Sequence, residues 1–236
     1  MSGTSSGARE RMLGDIREAL GRGPLPVEER AALERRLRFP RANVVPARGQ
    51  RDGAERVALF IAEAERVNTT TERLAGWSQV PAAVAAYLRS RNLPMAVRAA
   101  SDPLFDQFSW SDESGLIVTT GAAEAGDLVS VTTAFAGIAE TGTLMLLSGP
   151  ASPTSLNFLP ADHLVAIAQD RIVGTYEDAW MLLRAEVGVG IALPRVLNWI
   201  TGPSRTADIE QTLLLGAHGP RRIVVVIMGC HGPRSP

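Results

Sequence analysis

The stretch IVVVIM, residues 223–228, decides the fold, because six apolar residues follow one another without a polar side chain. A strand with one face in water would alternate apolar and polar residues instead. The runs LVAIA at 164–168 and TLMLL at 143–147 are nearly as apolar. Continuous apolarity over four to six residues predicts strands that are covered on both faces.

Helical patterns alternate with these strands. We predict helices over 54–67, 81–91 and 176–187, the last opened by a Thr175-Tyr-Glu-Asp178 capping box. Further short strands are predicted at 95–99, 115–119, 128–132 and 196–200. The alternation predicts an α/β fold with a mostly parallel sheet flanked by helices.

Before this pattern begins, residues 1–53 are predicted to form a short N-terminal helical arm and linker, with helices over 9–20 and 27–38. The second arm helix is charged on most faces and suits packing against a partner subunit. Residues 54–236 are predicted to form the α/β domain.

Composition excludes several classes of function. With a net charge of -1 and no basic stripe, the chain is not expected to bind nucleic acid. All 24 basic residues are arginine, which excludes a Walker A loop, a Schiff-base lysine and a pyridoxal phosphate site. One cysteine cannot hold an iron–sulfur cluster, and three scattered histidines form no zinc pattern, so we predict no metal site.

The chain also lacks the signals of membrane insertion and export. Its longest apolar runs fall far short of the roughly 20 residues that span a bilayer, and no apolar leader segment opens it. We therefore expect no transmembrane segment and a cytoplasmic location.

The segment NWITGPSRTADIEQTLLLGAHGPRR, residues 198–222, is strongly polar between two apolar strands. We predict that it leaves strand 196–200 at the carboxyl end of the sheet, where such folds bind ligands, and that a helix begins near Ser204–Thr206. Free amides at the helix start and the Arg205 guanidinium would then bind a carboxylate or phosphate. The predicted ligand-binding residues of this segment are Gly202, Ser204, Arg205, Thr206 and Glu210. Alternatively, these residues only cap and stabilise a helix, with Arg205 paired to Asp208.

A second candidate is Glu140, which precedes a buried strand in the motif GIAETGTL at 137–144. Carboxylates are seldom buried without a partner, so Glu140 is a candidate general base or nucleophile, with Gly142 and Thr143 as ligand contacts. The alternative is that Glu140 accepts hydrogen bonds from loop amides or neutralises Arg205 or Arg171.

His218 lies between glycines in a tight turn before the last strand. It is a third candidate catalytic group beside Glu140 and Asp208, or simply a turn residue. If the chain is an enzyme, Glu140, Arg205, Asp208 and His218 should converge in one pocket. Separate locations would favour an assembly role.

The motifs GIAETGTL, LPADHLVAI, YEDAW and ITGPSRTADIEQTLLLGAHGPRRIVVVI stand in the order found in the LUD-domain family of lactate utilisation proteins, and the chain resembles the LutC type over roughly residues 54–229. The resemblance implies a fold like that of the NagB/RpiA/CoA-transferase group. It also implies a part in oxidising L-lactate to pyruvate beside two iron–sulfur partner proteins.

Three roles stay open. The chain is a subunit of a lactate-oxidising system that binds a small organic acid such as lactate or pyruvate, or an accessory ligand. It is instead a stand-alone CoA-transferase-like or folate cyclo-ligase-like enzyme with Glu140 as nucleophile, or else a non-catalytic assembly subunit. The sequence indicates no particular cofactor and leaves homo-oligomerisation open.

Overall fold

The structure, a computed structural model, describes residues 4–41, 43–187, 193–209 and 212–229. The chain divides into two compact units, Met1–Ala42 and Asn43–Pro236. The arm with its linker over 1–53 and the domain over 54–236 stay a prediction.

The first unit contains the two predicted arm helices, α1 (Thr4–Ala19) and α2 (Val27–Arg38). Helix α2 buries no residue, as its charged sequence predicts. Its first turn is acidic and its last turn is basic, which complements the helix dipole.

The second unit has three described helices: α3 (Gly53–Arg66), α4 (Val80–Ser90) and α5 (Tyr176–Val187). The capping box of α5 is confirmed, since Asp178 Oδ2 accepts a hydrogen bond from the Thr175 amide at 2.9 Å and Thr175 Oγ1 accepts one from the Asp178 amide at 3.3 Å.

The described strands of this unit are β1 (Thr70–Leu74), β2 (Ala96–Ala99), β3 (Ile117–Thr120), β4 (Val129–Thr133), β5 (Ala136–Ile138), β6 (Thr143–Leu147), β7 (Asp162–Ala168), β8 (Ile172–Val173), β9 (Leu197–Ile200), β10 (Arg205–Ile209), β11 (Thr212–Leu215) and β12 (Arg222–Met228).

Six strands form a fully parallel sheet in the order β1-β12-β7-β4-β2-β3. The two most apolar runs are its neighbouring strands β7 and β12, and both are buried as predicted. The run TLMLL is also a buried strand, β6, but it belongs to a second sheet of order β8-β5-β6-β9 and runs antiparallel to its neighbours β5 and β9.

The layers follow from the apolar faces. Helix α4 and the aromatic loop after β2 cover one face of the parallel sheet, and α3 with the second sheet covers the other. Helix α5 packs on the far side of the second sheet. The α/β fold class is therefore confirmed. Within the described residues, no helix has the length and apolarity needed to cross a bilayer.

The order of the strands creates a topological switch point. From β2 the chain moves outward to β3 and then returns to place β4 on the opposite side of β2. The loops that leave β2 and β4 at their carboxyl ends therefore diverge and leave a crevice between them, which is where ligands of open α/β sheets bind.

Candidate functional site

The segment after β9 is a hairpin and not the start of a helix. Strand β10 pairs antiparallel with β11, with Arg205 opposite Leu215 and Thr206 opposite Leu214. The predicted helix at Ser204–Thr206 is therefore wrong, and with it the row of free helix amides. The Ser/Thr/Asp pattern that caps helices also occurs at the base of hairpins, and the apolar run at 212–215 supplies the second strand.

The predicted position of the segment is also wrong. Strand β9 belongs to the second sheet and pairs with β6, so the chain after it does not leave the carboxyl end of the parallel sheet. It lies instead beside Pro220 and Ile223, where β12 begins, and beside the loop that precedes β7.

This segment lines an open pocket of about 270 Å³, which we call the amino-end cavity. Four of the predicted site residues line it, namely Gly202, Ser204, Arg205 and His218. Asn157 and Thr201 also line it. The structure thus brings together much of the predicted polar segment, although through a hairpin.

Local contacts fix this wall. Ser204 Oγ accepts a hydrogen bond from the His218 amide at 3.2 Å, and Arg205 Nη2 donates one to the Val67 carbonyl at 2.6 Å, at the end of α3. Gly202 has φ +72°, and a Cβ there would lie 2.4 Å from the same carbonyl oxygen. Among the described residues Arg205 has no ion-pair partner.

Asn157 is the unexpected residue of this cavity. Its side chain is only 1% exposed, yet neither Oδ1 nor Nδ2 has a hydrogen-bond partner in the described protein. A buried polar group without a partner costs about 1–3 kcal/mol, so such groups point to a bound water, ion or ligand. The sequence signal was a single amide in a Ser/Pro-rich loop.

A buried histidine lies next to the cavity. His163 stands opposite Ile223, which lines the cavity, and opposite Ser130, whose hydroxyl donates to the Leu156 carbonyl at 2.6 Å. Its Nε2 is 2.7 Å from Thr132 Oγ1, and its Nδ1 has no partner in the described protein. Burial lowers the pKa of His163 to about 3, so the ring is neutral at physiological pH.

A network of charged and polar side chains lies at the amino end of the parallel sheet. The buried Asp162 carboxylate accepts hydrogen bonds from Arg222 at 2.8 and 2.9 Å and from the Tyr87 hydroxyl at 2.8 Å. Burial raises the pKa of Tyr87, and the neighbouring carboxylate raises it further. This network ties α4 to the first residues of β7 and β12.

Glu140 lies apart from the amino-end cavity. Its carboxylate is 3% exposed, and Oε1 accepts a hydrogen bond from the Tyr176 amide at the start of α5, at 3.3 Å. Its Oε2 has no partner in the described protein. The adjacent Gly142 has φ +65°, and a Cβ there would lie 2.2 Å from the Ala64 nitrogen, so this turn packs tightly against α3.

Thr143 connects the two places. Its hydroxyl is 2.7 Å from that of Thr201, which lines the cavity, and 2.9 Å from that of Tyr176. Of the remaining predicted residues, Thr206 pairs within the hairpin, Asp208 lies on β10 with its side chain outside the described part, and Glu210 lies outside the described residues.

A second opening lies at the topological switch point. This cleft of about 380 Å³, the carboxyl-end cleft, is lined by Asp102 after β2, by Thr133 at the end of β4, and by Phe135, Arg171 and Glu186. Asp102 accepts hydrogen bonds from the Leu104 amide at 2.8 Å and from the Thr133 hydroxyl. The sequence analysis missed this cleft; the available signal was an Asp-Pro pair directly after a predicted strand.

Arg171 is the cation among the described lining residues of this cleft, and it forms an ion pair. Arg171 pairs with Glu186, and its guanidinium carbon lies 5.4 Å from the centre of the Phe135 ring. In the described part of the chain, no three or more His, Cys, Asp or Glu residues form a group that could hold a metal ion.

Comparisons with known proteins agree with this fold. Residues 128–228 match the family model of the LUD domain. A solved structure of a DUF162 family protein from Deinococcus radiodurans superimposes with a TM-score of 0.56 at 22% identity, over 75% of this chain and 98% of that one. The chain is therefore similar to the LUD domain over residues 128–228.

Two curated relatives share a name and are similar to part of this chain. Lactate utilization protein C from Halalkalibacterium halodurans is 31% identical over 140 residues, which is 54% of this chain and 60% of that protein. The protein of the same name from Bacillus subtilis is 30% identical over 121 residues, which is 51% of this chain and 50% of that protein. The chain spans about half the length of these relatives.

Proposed function

We propose that this chain acts in lactate utilisation as a component without its own iron–sulfur cluster, and that it binds a small 2-hydroxy or 2-oxo acid in the amino-end cavity. The names of its relatives support the role. The unpartnered amide of Asn157 supports the location.

The chemistry of the cavity fits such an acid. Arg205 supplies the positive charge and the forked donors that a carboxylate needs. The Asn157 amide offers one donor and one acceptor side by side, which matches the hydroxyl of lactate or the keto oxygen of pyruvate. Ser204 and Thr201 add hydroxyl groups to the same wall.

Catalytic roles belong to the same proposal. His218 lines the cavity and is our first candidate for the base that accepts the hydroxyl proton of lactate. Glu140 and Asp208 remain candidates, with Glu140 connected to the cavity only through the turn that carries Thr143. The Cα–H bond breaks in the same oxidation, and its proton leaves together with the two electrons to an acceptor on the iron–sulfur partner proteins, since one cysteine cannot hold a cluster.

The other roles receive less support. A CoA-transferase-like or folate cyclo-ligase-like mechanism needs Glu140 to attack a substrate, whereas its carboxylate is 3% exposed beneath the start of α5. A purely structural subunit would have no reason to keep an unpartnered amide in a cavity wall, because an apolar side chain there would be more stable.

Calorimetric titration of the full chain with L-lactate tests the proposal. We expect saturable binding that weakens about tenfold or more in Arg205→Ala, because a hydrogen bond to a charged group contributes about 1.5–3 kcal/mol. Arg66→Ala is the matched control, since Arg66 is an exposed arginine that pairs with Glu63. Propionate, which lacks the hydroxyl, should bind more weakly than L-lactate. Equal affinity of Arg205→Ala and wild type would contradict the proposed site.

Co-expression with the iron–sulfur proteins of a lactate utilisation system tests the partner claim. We expect a complex that survives size-exclusion chromatography. A complex that forms while the isolated chain binds no acid would favour the assembly role, and a chain that remains alone would argue against both.

A further inference from the structure

Asp102 lies in the wall of two neighbouring cavities. One is the carboxyl-end cleft of about 380 Å³, and the other is a cavity of about 610 Å³ that also contains Phe108 and Trp110. Both open at the carboxyl end of β2, beside the topological switch point. Ligands of open α/β sheets bind outside the carboxyl ends of the strands at such a point.

The charges around Asp102 select the chemistry of the ligand. Asp102 and Glu186 line the carboxyl-end cleft together with Arg171, which is paired with Glu186, and Asp102 and Asp106 line the larger cavity, whose described lining includes no arginine. A phosphate or carboxylate ligand would therefore be repelled. Each oxygen of Asp102 accepts one hydrogen bond from the protein and keeps a free lone pair, so the residue is ready to accept from a ligand that carries hydroxyl donors.

Aromatic residues supply the second half of the site. Phe105, Phe108 and Trp110 lie edge to face or tilted, with ring centres 5.0–5.8 Å apart. Phe108 and Trp110 are only partly buried, and both line the larger cavity. Ring faces of this kind stack on planar heterocycles, with about 1–3 kcal/mol per base.

We propose that these two cavities bind a nucleoside, with the vicinal hydroxyls of its ribose on Asp102 and its base against Trp110 and Phe108. An acidic side chain that binds ribose hydroxyls is a recurring device of switch-point sites. The loop after β2 reads Ala-Ser-Asp-Pro and has no glycine, so it offers no cradle for a pyrophosphate. This second site goes beyond the proposed binding of an organic acid.

Calorimetric titration of the full chain with adenosine tests the proposal directly. We expect saturable binding, and binding about tenfold or more weaker for 2′,3′-dideoxyadenosine, which lacks both hydroxyls. D-ribose alone should bind far more weakly than adenosine because it has no base to stack. Adenosine monophosphate should bind no more tightly than adenosine, because its phosphate meets an acidic site. Equal affinity for adenosine and its dideoxy analogue, or no saturable binding of adenosine, would overturn the proposal.

Variants then locate the site. Asp102→Asn and Trp110→Leu should each weaken adenosine binding about tenfold. Asp170→Asn is the matched control, since Asp170 is an exposed aspartate outside both cavities. Unchanged binding in both Asp102→Asn and Trp110→Leu would refute the site. If Asp102→Asn does not fold, the comparison of adenosine with its dideoxy analogue decides alone.

The organic acid serves as an independent readout. Arg205→Ala should keep its affinity for adenosine, and Asp102→Asn should keep its affinity for L-lactate. Failure of adenosine binding with intact L-lactate binding would therefore overturn the nucleoside site and leave the proposed function standing.

Discussion

The two ends of the parallel sheet differ in how their polar groups are satisfied. At the amino end, Asn157 and His163 are buried with polar atoms that have no partner in the described protein, and Arg205 has no ion pair there. At the carboxyl end, Asp102 accepts two hydrogen bonds and Arg171 is paired with Glu186. The amino-end cavity thus has more buried polar atoms without a partner, whereas in the carboxyl-end cleft Asp102 is satisfied and Arg171 Nη1, which has no hydrogen-bond partner in the described protein, forms an ion pair with Glu186.

The largest expected effect comes from the backbone of the amino-end cavity. Gly202→Ala should lower the free energy of unfolding by about 3 kcal/mol or more, because it combines a strained positive φ with a collision against the Val67 carbonyl oxygen. Gly216→Ala, also at positive φ, should cost only about 1–2 kcal/mol, since its Cβ meets the movable side chain of Arg221. Urea unfolding compares the two variants. An equal loss of unfolding free energy in the two variants would mean that the end of α3 does not pack closely against Gly202.

The buried histidine should make stability depend on pH. The pKa of His163 is about 3 in the folded chain and 6.5 in the unfolded chain, so below pH 6.5 only the unfolded chain takes up the proton. This residue should therefore lower the free energy of unfolding by about 2 kcal/mol between pH 7 and pH 5, and by more toward pH 3.

His163→Gln keeps a polar partner for Thr132 but cannot titrate, and it should remove this part of the pH dependence. The measurement is urea unfolding of wild type and variant at pH 7 and pH 5. An identical decrease in both proteins would show that His163 is not buried in its neutral form.

Substitutions at the two ends of the sheet should change the free energy of unfolding in opposite directions. Asn157→Leu should raise the stability of the ligand-free chain by about 1 kcal/mol, because it replaces an unpartnered amide by an apolar group of similar shape. Asp102→Ala should lower stability by about 1 kcal/mol, because Asp102 caps the turn that begins at Pro103. Thermal unfolding without ligand gives both signs, and a destabilising Asn157→Leu would remove the distinction between the two ends.

The smallest effect is expected at the rim of the carboxyl-end cleft. Glu186→Gln should lower the free energy of unfolding by about 0.5–1 kcal/mol, because water screens the Glu186 side chain, which is 42% exposed, and the amide oxygen of glutamine can still accept a hydrogen bond from the mostly buried Arg171. The change should shrink further in 1 M salt. A large, salt-independent loss would mean that this pair is a structural anchor.

The sequence predicted the elements whose signals are local. Continuous apolar runs predicted β7 and β12. The capping box formed by Thr175 and Asp178 predicted the start of α5. Strand β1 was not predicted from the sequence, because Thr70–Leu74 is an edge strand with mostly polar side chains and has no apolar run. The segment at Ser204 has residues that cap helices, and these predicted a helix. The same residues also occur in hairpins, and only the pairing with 212–215 distinguishes the two structures.

The site was predicted less completely, for the same reason. Arg205, Ser204 and His218 do share a cavity, because the hairpin returns the chain onto itself. Asn157 and Asp102 come from distant loops, and nothing in their immediate sequence shows that one is left without a partner and the other lies at a switch point. Which groups meet, and which stay unsatisfied, is settled by tertiary packing.

The most direct test of the proposed site is calorimetric titration of L-lactate into Asn157→Leu and Asp102→Asn, side by side with wild type. We predict that Asn157→Leu loses about tenfold or more in affinity, while Asp102→Asn binds like wild type. Retained affinity in Asn157→Leu, or a loss confined to Asp102→Asn, would contradict the assignment of the organic acid to the amino-end cavity.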